Sequence, residues 1–289
     1  MATPTIFVQL FQLYYHSRLL PAFATALGTE KNDKVKEQVA SAILFFLKNT
    51  LPDSFSFRAG RDELIMKLLV SVQGDVTPKH KSILLSAFNI VAEKCATVAL
   101  EFQSSYLPIL LEACNDENYE VKEEAARGIR ICAESESQEV KRLMKEILSK
   151  LYFLLKHPNQ PLRSLENAKA RDIAVSALGR ICKCHRDCID ASNLVPIWLS
   201  FLPLKEELNE AKIMHEQLCL MVYGSDMDLL GPENQNLAKI IVVFVEVIEK
   251  GKTLATPETV KTMTHLLGDL MLLSMNSQQQ QLLSSLVSS

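Results

Sequence analysis

Apolar residues recur along this chain at the three- and four-residue spacing of an α-helix, most clearly in NYEVKEEAARGIRICA at 118–133. Wound at the helical period, Val121, Ala125, Gly128, Ile129 and Cys132 share one narrow face, with Glu123, Arg127, Arg130 and Glu134 opposite. The small residues let a second helix come close. Glu123–Arg127 and Arg130–Glu134 are i,i+4 pairs expected on the solvent side. A short apolar helix containing Pro108 is expected ahead of it at 105–113, with the polar turn Asn115-Asp116-Glu117 between the two.

Similar patterns predict helices over 5–28, with a break at Pro21, over 35–50 and over 62–72. Thr77-Pro78 marks a start, a threonine N-cap followed by proline at the first helical position. That helix runs to about Cys95, with Leu84, Phe88, Val91 and Cys95 as its face. Further helices are predicted at 140–155, 170–182, 194–202, 206–222 and 236–249, with a proline-containing loop at 157–166. Thr256-Pro257 repeats the start signal. The run IIVVFVEV at 240–247 has strand propensity but is read as helix, because its neighbours are helical and no partner strand exists.

Val35 and Val121 hold the same place in their units and stand 86 residues apart, twice 43, which puts an intermediate unit near residue 78. A spacing of about 40–47 residues belongs to HEAT and armadillo arrays. A helix pair of this kind cannot bury its own face, so neighbours must stack. The expected fold is all-α: an α-solenoid, or superhelix, of about six HEAT-like pairs, with 1–289 as a single segment. The closing SMNSQQQQLLSSLVSS is polar, as a solvent-facing cap should be. The first helix is apolar nearly all round, from Ile6 to Tyr15, which implies that it packs on a partner or on preceding repeats of a longer array.

Composition narrows the class. With 48% apolar residues, 22% charged, 9 Gly and 11 Pro in 289, long uninterrupted helices are favoured. A net charge of −3 argues against a nucleic-acid binder. Seven scattered cysteines and the absence of an Asn-x-Ser/Thr sequon fit a reducing compartment, cytosol or nucleus. The N-terminal apolar run lacks a preceding Lys or Arg and is interrupted by Gln9 and Gln12, so it does not read as a signal peptide. No run is long enough to insert in a membrane.

Candidate chemistry is sparse. Cys182, Cys184, His185 and Cys188 form the one metal-like cluster, but they crowd into seven residues at a helix end and read as buried or idle thiols; no metal ligands are assigned. No nucleophile elbow, metalloprotease helix or Gly-rich phosphate loop occurs, so no catalytic residue and no cofactor are assigned. Lys141, Arg142, Lys145 and Lys150, with Glu139 and Glu146 interleaved, read as a solvated face. Asp116, Glu117, Glu120, Glu123 and Glu124 form the densest acidic patch, which would attract a basic partner or simply complement a helix dipole. Trp198 and Phe201 follow Pro196 on an apolar helix. Their spacing suits a core role, and Trp198 is kept with Asp116, Glu117, Glu120 and Glu123 as a candidate partner-binding residue.

LVPIWLSFLPL at 194–204, the charged turn KEELNEA and a helix ending EQLCLMV resemble the carboxyl-terminal region of the importin-β (karyopherin-β) family, most of all the branch called importin five or karyopherin beta three. LLGPENQNLAKI at 229–240, YLPILLEACNDENYEVKEEAARGI and DCIDASNLVP are similar to that branch as well, while Phe201 stands where it has a second Trp. The likeness covers about residues 80–250, is looser over 1–79, and leaves 251–289 as capping helices. The resemblance implies a nuclear transport receptor without an active site, shuttling between cytoplasm and nucleus. It would carry cargo proteins, often basic ones such as ribosomal proteins or histones, and in the full-length receptor meet the small GTPase Ran and nuclear pore proteins. A HEAT scaffold in a static complex, such as a phosphatase subunit, is the alternative; a helical enzyme using Cys184 or His185 is a third reading.

Overall fold

The computed structural model describes residues 17–50, 60–156 and 165–287, with side chains from 168 to 274 in the last stretch. The expectations for the apolar helix at 5–15, for the loop at 157–164 and for the side chains of the Gln-rich end lie outside the described residues. Among the described residues all regular structure is helical: α1 (17–29), α2 (Asp33–Asn49), α3 (Arg61–Val72), α4 (Pro78–Lys94), α5 (Ala96–Ala113), α6 (Tyr119–Ala133) and α7 (Gln138–Lys156). Then follow α8 (Leu165–Cys184), α9 (Ala191–Ser200), α10 (Leu208–Tyr223), α11 (Met227–Leu230), α12 (Leu237–Lys250) and α13 (Pro257–Val287). This is an all-α helical-repeat fold.

Local chemistry sets the starts. Asn32 and Asn118 each turn a side-chain oxygen onto two first-turn N–H groups, and Thr77 Oγ1 accepts from His80 N at 3.2 Å. Thr256 Oγ1 accepts from Thr259 N at 3.1 Å ahead of α13. Helices α2, α4 and α6 begin at 33, 78 and 119, intervals of 45 and 41 residues that bracket the spacing of 43 read from the sequence.

The helices gather into two compact units, Met1–Gln160 and Pro161–Ser289. In the first, α2, α4 and α6 lie side by side as one layer, and α3, α5 and α7 supply the other. Ala40, Ile43 and Leu47, then Leu84, Phe88 and Val91, then Val121, Ala125 and Ile129 are buried at helical spacing. Gly128 lets α6 close on its neighbours: a Cβ there would stand 2.5 Å from Leu110 Cδ2 and 2.8 Å from Asn89 Oδ1. Asn89 joins three helices. Its Nδ2 donates to Glu124 O at 3.0 Å and Glu124 Oε2 at 2.7 Å on α6, and its Oδ1 accepts from Tyr106 on α5 at 2.6 Å.

Four expectations are corrected in this unit. Helix α1 continues through Pro21 without a break. Helix α5 begins at Ala96, not near 105: Pro108 is on its exposed side, so the Ser104 carbonyl it frees lies toward water, while Val98 and Gln103 are buried. Arg130 is not on a wet face. It is 6% exposed and bridges Glu93 of α4 and Glu134, the latter at 3.3 Å. Cys95 leaves the α4 face to sit half-buried between α4 and α5.

In the second unit α8, α10 and α13 are successive neighbours, while α9 packs on α8, α11 and α12, and α12 on α13. Ala170, Ala174, Ala177, Leu178 and Ile181 of α8 are buried. The β-branched run is helical, as expected. Ile240, Val243, Phe244 and Val247 go inward at the helical period while Val242 is exposed, a selection that alternating strand geometry would not make.

Candidate protein-binding faces

The acidic run at the α5–α6 turn is largely used inside the first unit. Asp116 Oδ2 accepts from Lys81 Nζ on α4 at 3.1 Å, and its Oδ1 accepts from Asn118 N at 3.0 Å. Glu123 pairs with Arg127 at 3.1 Å. Glu124 is directed onto Asn89, and burial raises its carboxyl above the usual range, opposed by the Asn89 hydrogen bond. Glu120 accepts only the long Tyr119 hydroxyl contact of 3.4 Å, and Glu117 is exposed. The structure thus brings Asp116 to the α4–α6 junction, holds Glu123 against Arg127 of its own helix, and leaves Glu117 and Glu120 with most capacity toward a partner.

Trp198 is corrected from a candidate anchor to a core residue. It is 0% exposed, at the centre of α8, α9 and α10. A Cβ at Gly179 of α8 would meet Trp198 Nε1 at 2.8 Å and Met214 Sδ of α10 at 2.4 Å. An indole enclosed in this way has no surface to offer.

A polar seam runs beside it between α8 and the start of α10. Asp172 Oδ2 accepts from the backbone N–H groups of Lys205, Glu206 and Glu207 at 3.0, 2.8 and 3.2 Å, fastening the turn that leads into α10 to another helix. Arg180 pairs with Glu210 at 3.3 Å, and Gln217 Nε2 donates to Gly179 O at 2.8 Å. His215 is fully buried; its Nε2 accepts from Leu204 N at 3.2 Å and its Nδ1 faces Leu254 O at 2.8 Å, so the proton belongs on Nδ1. Burial lowers its pKa, against the Leu254 hydrogen bond. Lys239 Nζ reaches Leu202 O at 2.8 Å beyond the end of α9, as Lys94 does at the end of α2. None of these polar residues stood out in the sequence, since each finds its partner about one repeat away.

At the end of α8, Cys182 and His185 are buried, and Cys184 and Cys188 half-exposed. Burial raises the Cys182 thiol to about 12, and Cys114 and Cys132 likewise to about 12, so these sulfurs stay protonated at neutral pH. Among the described residues no three His, Cys, Asp or Glu side chains converge as metal ligands, and no helix is long and apolar enough to cross a membrane.

Two open grooves stand out among the described residues. One of about 540 Å³ lies in the first unit where α4 and α6 end and α5 begins; the other, of about 480 Å³, lies between α8 and α10 in the second. The second is lined by Arg180, Lys183 and Arg186 along with Glu216 and Asp226, and Arg186 is tied to Asp226 and Asp228 at 2.5 and 2.6 Å. Cations and carboxylates are nearly matched there.

No family model matches the sequence. Among solved structures the chain is similar to two engineered proteins, both crystal structures from the Northeast Structural Genomics Consortium. One aligns with a TM-score of 0.52 at 16% identity, over 87% of this chain and 98% of its own; the other with 0.51 at 15%, over 88% and 97%. At such identities the likeness is one of fold: helices stacked as a repeat array.

Proposed function

We propose that this chain is a protein-carrying segment of an importin-β-type transport receptor, binding macromolecular partners along its stacked helices, with no catalytic group assigned. The observation that carries the reading is the similarity of LVPIWLSFLPL at 194–204 to that family. In the structure this run builds α9 and the turn after it, with Leu194, Val195, Trp198, Leu199, Leu202 and Leu204 buried. The helical-repeat fold supports the same reading, because such arrays offer long faces instead of a closed pocket. Basic cargo proteins, the GTPase Ran and nuclear pore proteins are the partners this assigns, in a receptor moving between cytoplasm and nucleus.

A static scaffold is the second reading, favoured by ion pairs that fasten one repeat to the next: Arg61 to Glu101 at 2.7 Å, and Arg186 to Asp226 and Asp228. The test is binding of a fluorescent basic import-signal peptide to the chain in its full receptor, with and without Ran loaded with GTP. Salt-sensitive binding that Ran-GTP abolishes is expected. Binding indifferent to Ran-GTP, or none, overturns the transport reading and leaves the scaffold.

A further inference from the structure

We propose that the groove of the first unit, between the ends of α4 and α6 and the start of α5, docks a polypeptide segment that presents one aliphatic side chain between lysines or arginines. The groove holds about 540 Å³, room for a side chain of leucine size. Its floor is made of methyl groups. Ala92, Ala96, Ala99 and Ile131 line it, and Leu100 stands 50% exposed in its wall with no described residue covering it. Alanines matter here because each leaves depth that a larger residue would fill.

The sign of the partner's charge follows from the rim. Glu93, Glu134 and Glu136 surround the floor with no lysine or arginine among the lining residues, and Arg130, its side chain 7% exposed, pairs with Glu93 and Glu134 from outside the lining. Three carboxylates therefore stand against one guanidinium, and Glu93 and Glu134 stay within reach of an incoming cation, with side chains 42% and 47% exposed. The helix ends do not decide the matter: α4 and α6 finish beside the groove while α5 and α7 begin there, so their dipoles oppose one another. The α8–α10 groove, where charges of both signs line the wall, lacks this bias. The inference rests on the first unit alone and does not depend on transport.

The test uses the whole chain and a fluorescein-labelled peptide, Gly-Lys-Lys-Leu-Lys-Lys-Gly, followed by anisotropy. Saturable binding is expected, weakening about tenfold as salt rises from roughly 50 to 300 mM. Replacing the peptide's leucine by serine should cost about tenfold in affinity. Glu136→Lys on the rim and Ala96→Trp in the floor should each weaken binding about tenfold or more, with urea midpoints confirming that both variants fold. Glu216→Lys in the second unit should change nothing. Equal binding of a peptide with glutamates for lysines, indifference to the leucine, wild-type affinity in both groove variants, or a dimer that buries Leu100 would each overturn the proposal. Ran is absent throughout, so this result and that of the transport test fail or stand separately.

Discussion

The indole of Trp198 crosses Gly179 so closely that a methyl group added at 179 would stand 2.8 Å from Trp198 Nε1. Two helices of the second unit approach at their smallest residue, and the largest side chain of the unit fills the space beside it. A methyl at 179 would also fall 2.4 Å from Met214 Sδ. The thioether can swing aside, but the enclosed indole cannot.

Gly179→Ala should therefore destabilise the chain by about 1–3 kcal/mol, overpacking outweighing the helix propensity gained. Gly268 of α13 is the control, since nothing lies within 4 Å of its added Cβ. Gly268→Ala should stabilise by roughly 0.5–1 kcal/mol. Urea midpoints of the two variants would move in opposite directions.

Asp172→Ala should cost about 1–3 kcal/mol, because three N–H groups of the turn ahead of α10 lose their acceptor together. Asp172→Asn keeps an acceptor oxygen and should cost less than half as much. Equal losses in the two variants, measured by urea denaturation, would show that charge and not these hydrogen bonds is what matters.

Lys94 Nζ donates to the carbonyls of Leu47, Lys48 and Thr50 at 2.8, 2.7 and 2.6 Å, closing the C-terminal end of α2 with a cation. Lys94→Met should lower stability by about 1–2 kcal/mol and raise hydrogen exchange in the last turn of α2. Unchanged exchange there would contradict the assigned role.

Acid should weaken the fold below about pH 6.5. Burial lowers the pKa of both His80 and His215 from the ordinary 6.5, so the unfolded chain takes up protons first as pH falls. Their stability is complete above the unfolded value and is lost as pH falls through the folded ones. Each tenfold difference in proton affinity between the two states is worth about 1.4 kcal/mol. Glu124 works the other way. Its carboxyl is raised by burial, so the folded state gains its proton first and stability rises as pH drops through that window. His215→Gln should flatten the loss as pH falls below 6.5, and Glu124→Gln should steepen it. Denaturant midpoints across that range would test both signs.

Helix starts were legible wherever the signal is local. Thr77-Pro78, Asn118 and Thr256 act within one turn of themselves, and their positions hold in the structure. The start of α5 was not legible, because its cap is Cys95, whose side chain accepts from no first-turn backbone N–H. The helix is held there by burial of Val98 and Gln103, a tertiary effect. That missing stretch also carries Ala96, Ala99 and Leu100, so the groove they line could not be seen beforehand.

Side-chain roles divided in the same way. Glu123 and Arg127 meet as the sequence predicts, since four residues along a helix bring them together unaided. Arg130, one turn on, shows the same pattern and yet is buried, because Glu93 of another helix lies over it. By itself the sequence determined that the chain is helical, where most helices begin, which face of each is apolar, and that the repeat is near 43 residues; these follow from interactions within a few residues. Only the tertiary structure decided that Trp198 is enclosed, that Asp172 fastens the turn ahead of α10, that Lys94 caps α2, and which carboxylates remain open to a partner. Those outcomes depend on side chains about a repeat apart in sequence, whose meeting is set by packing.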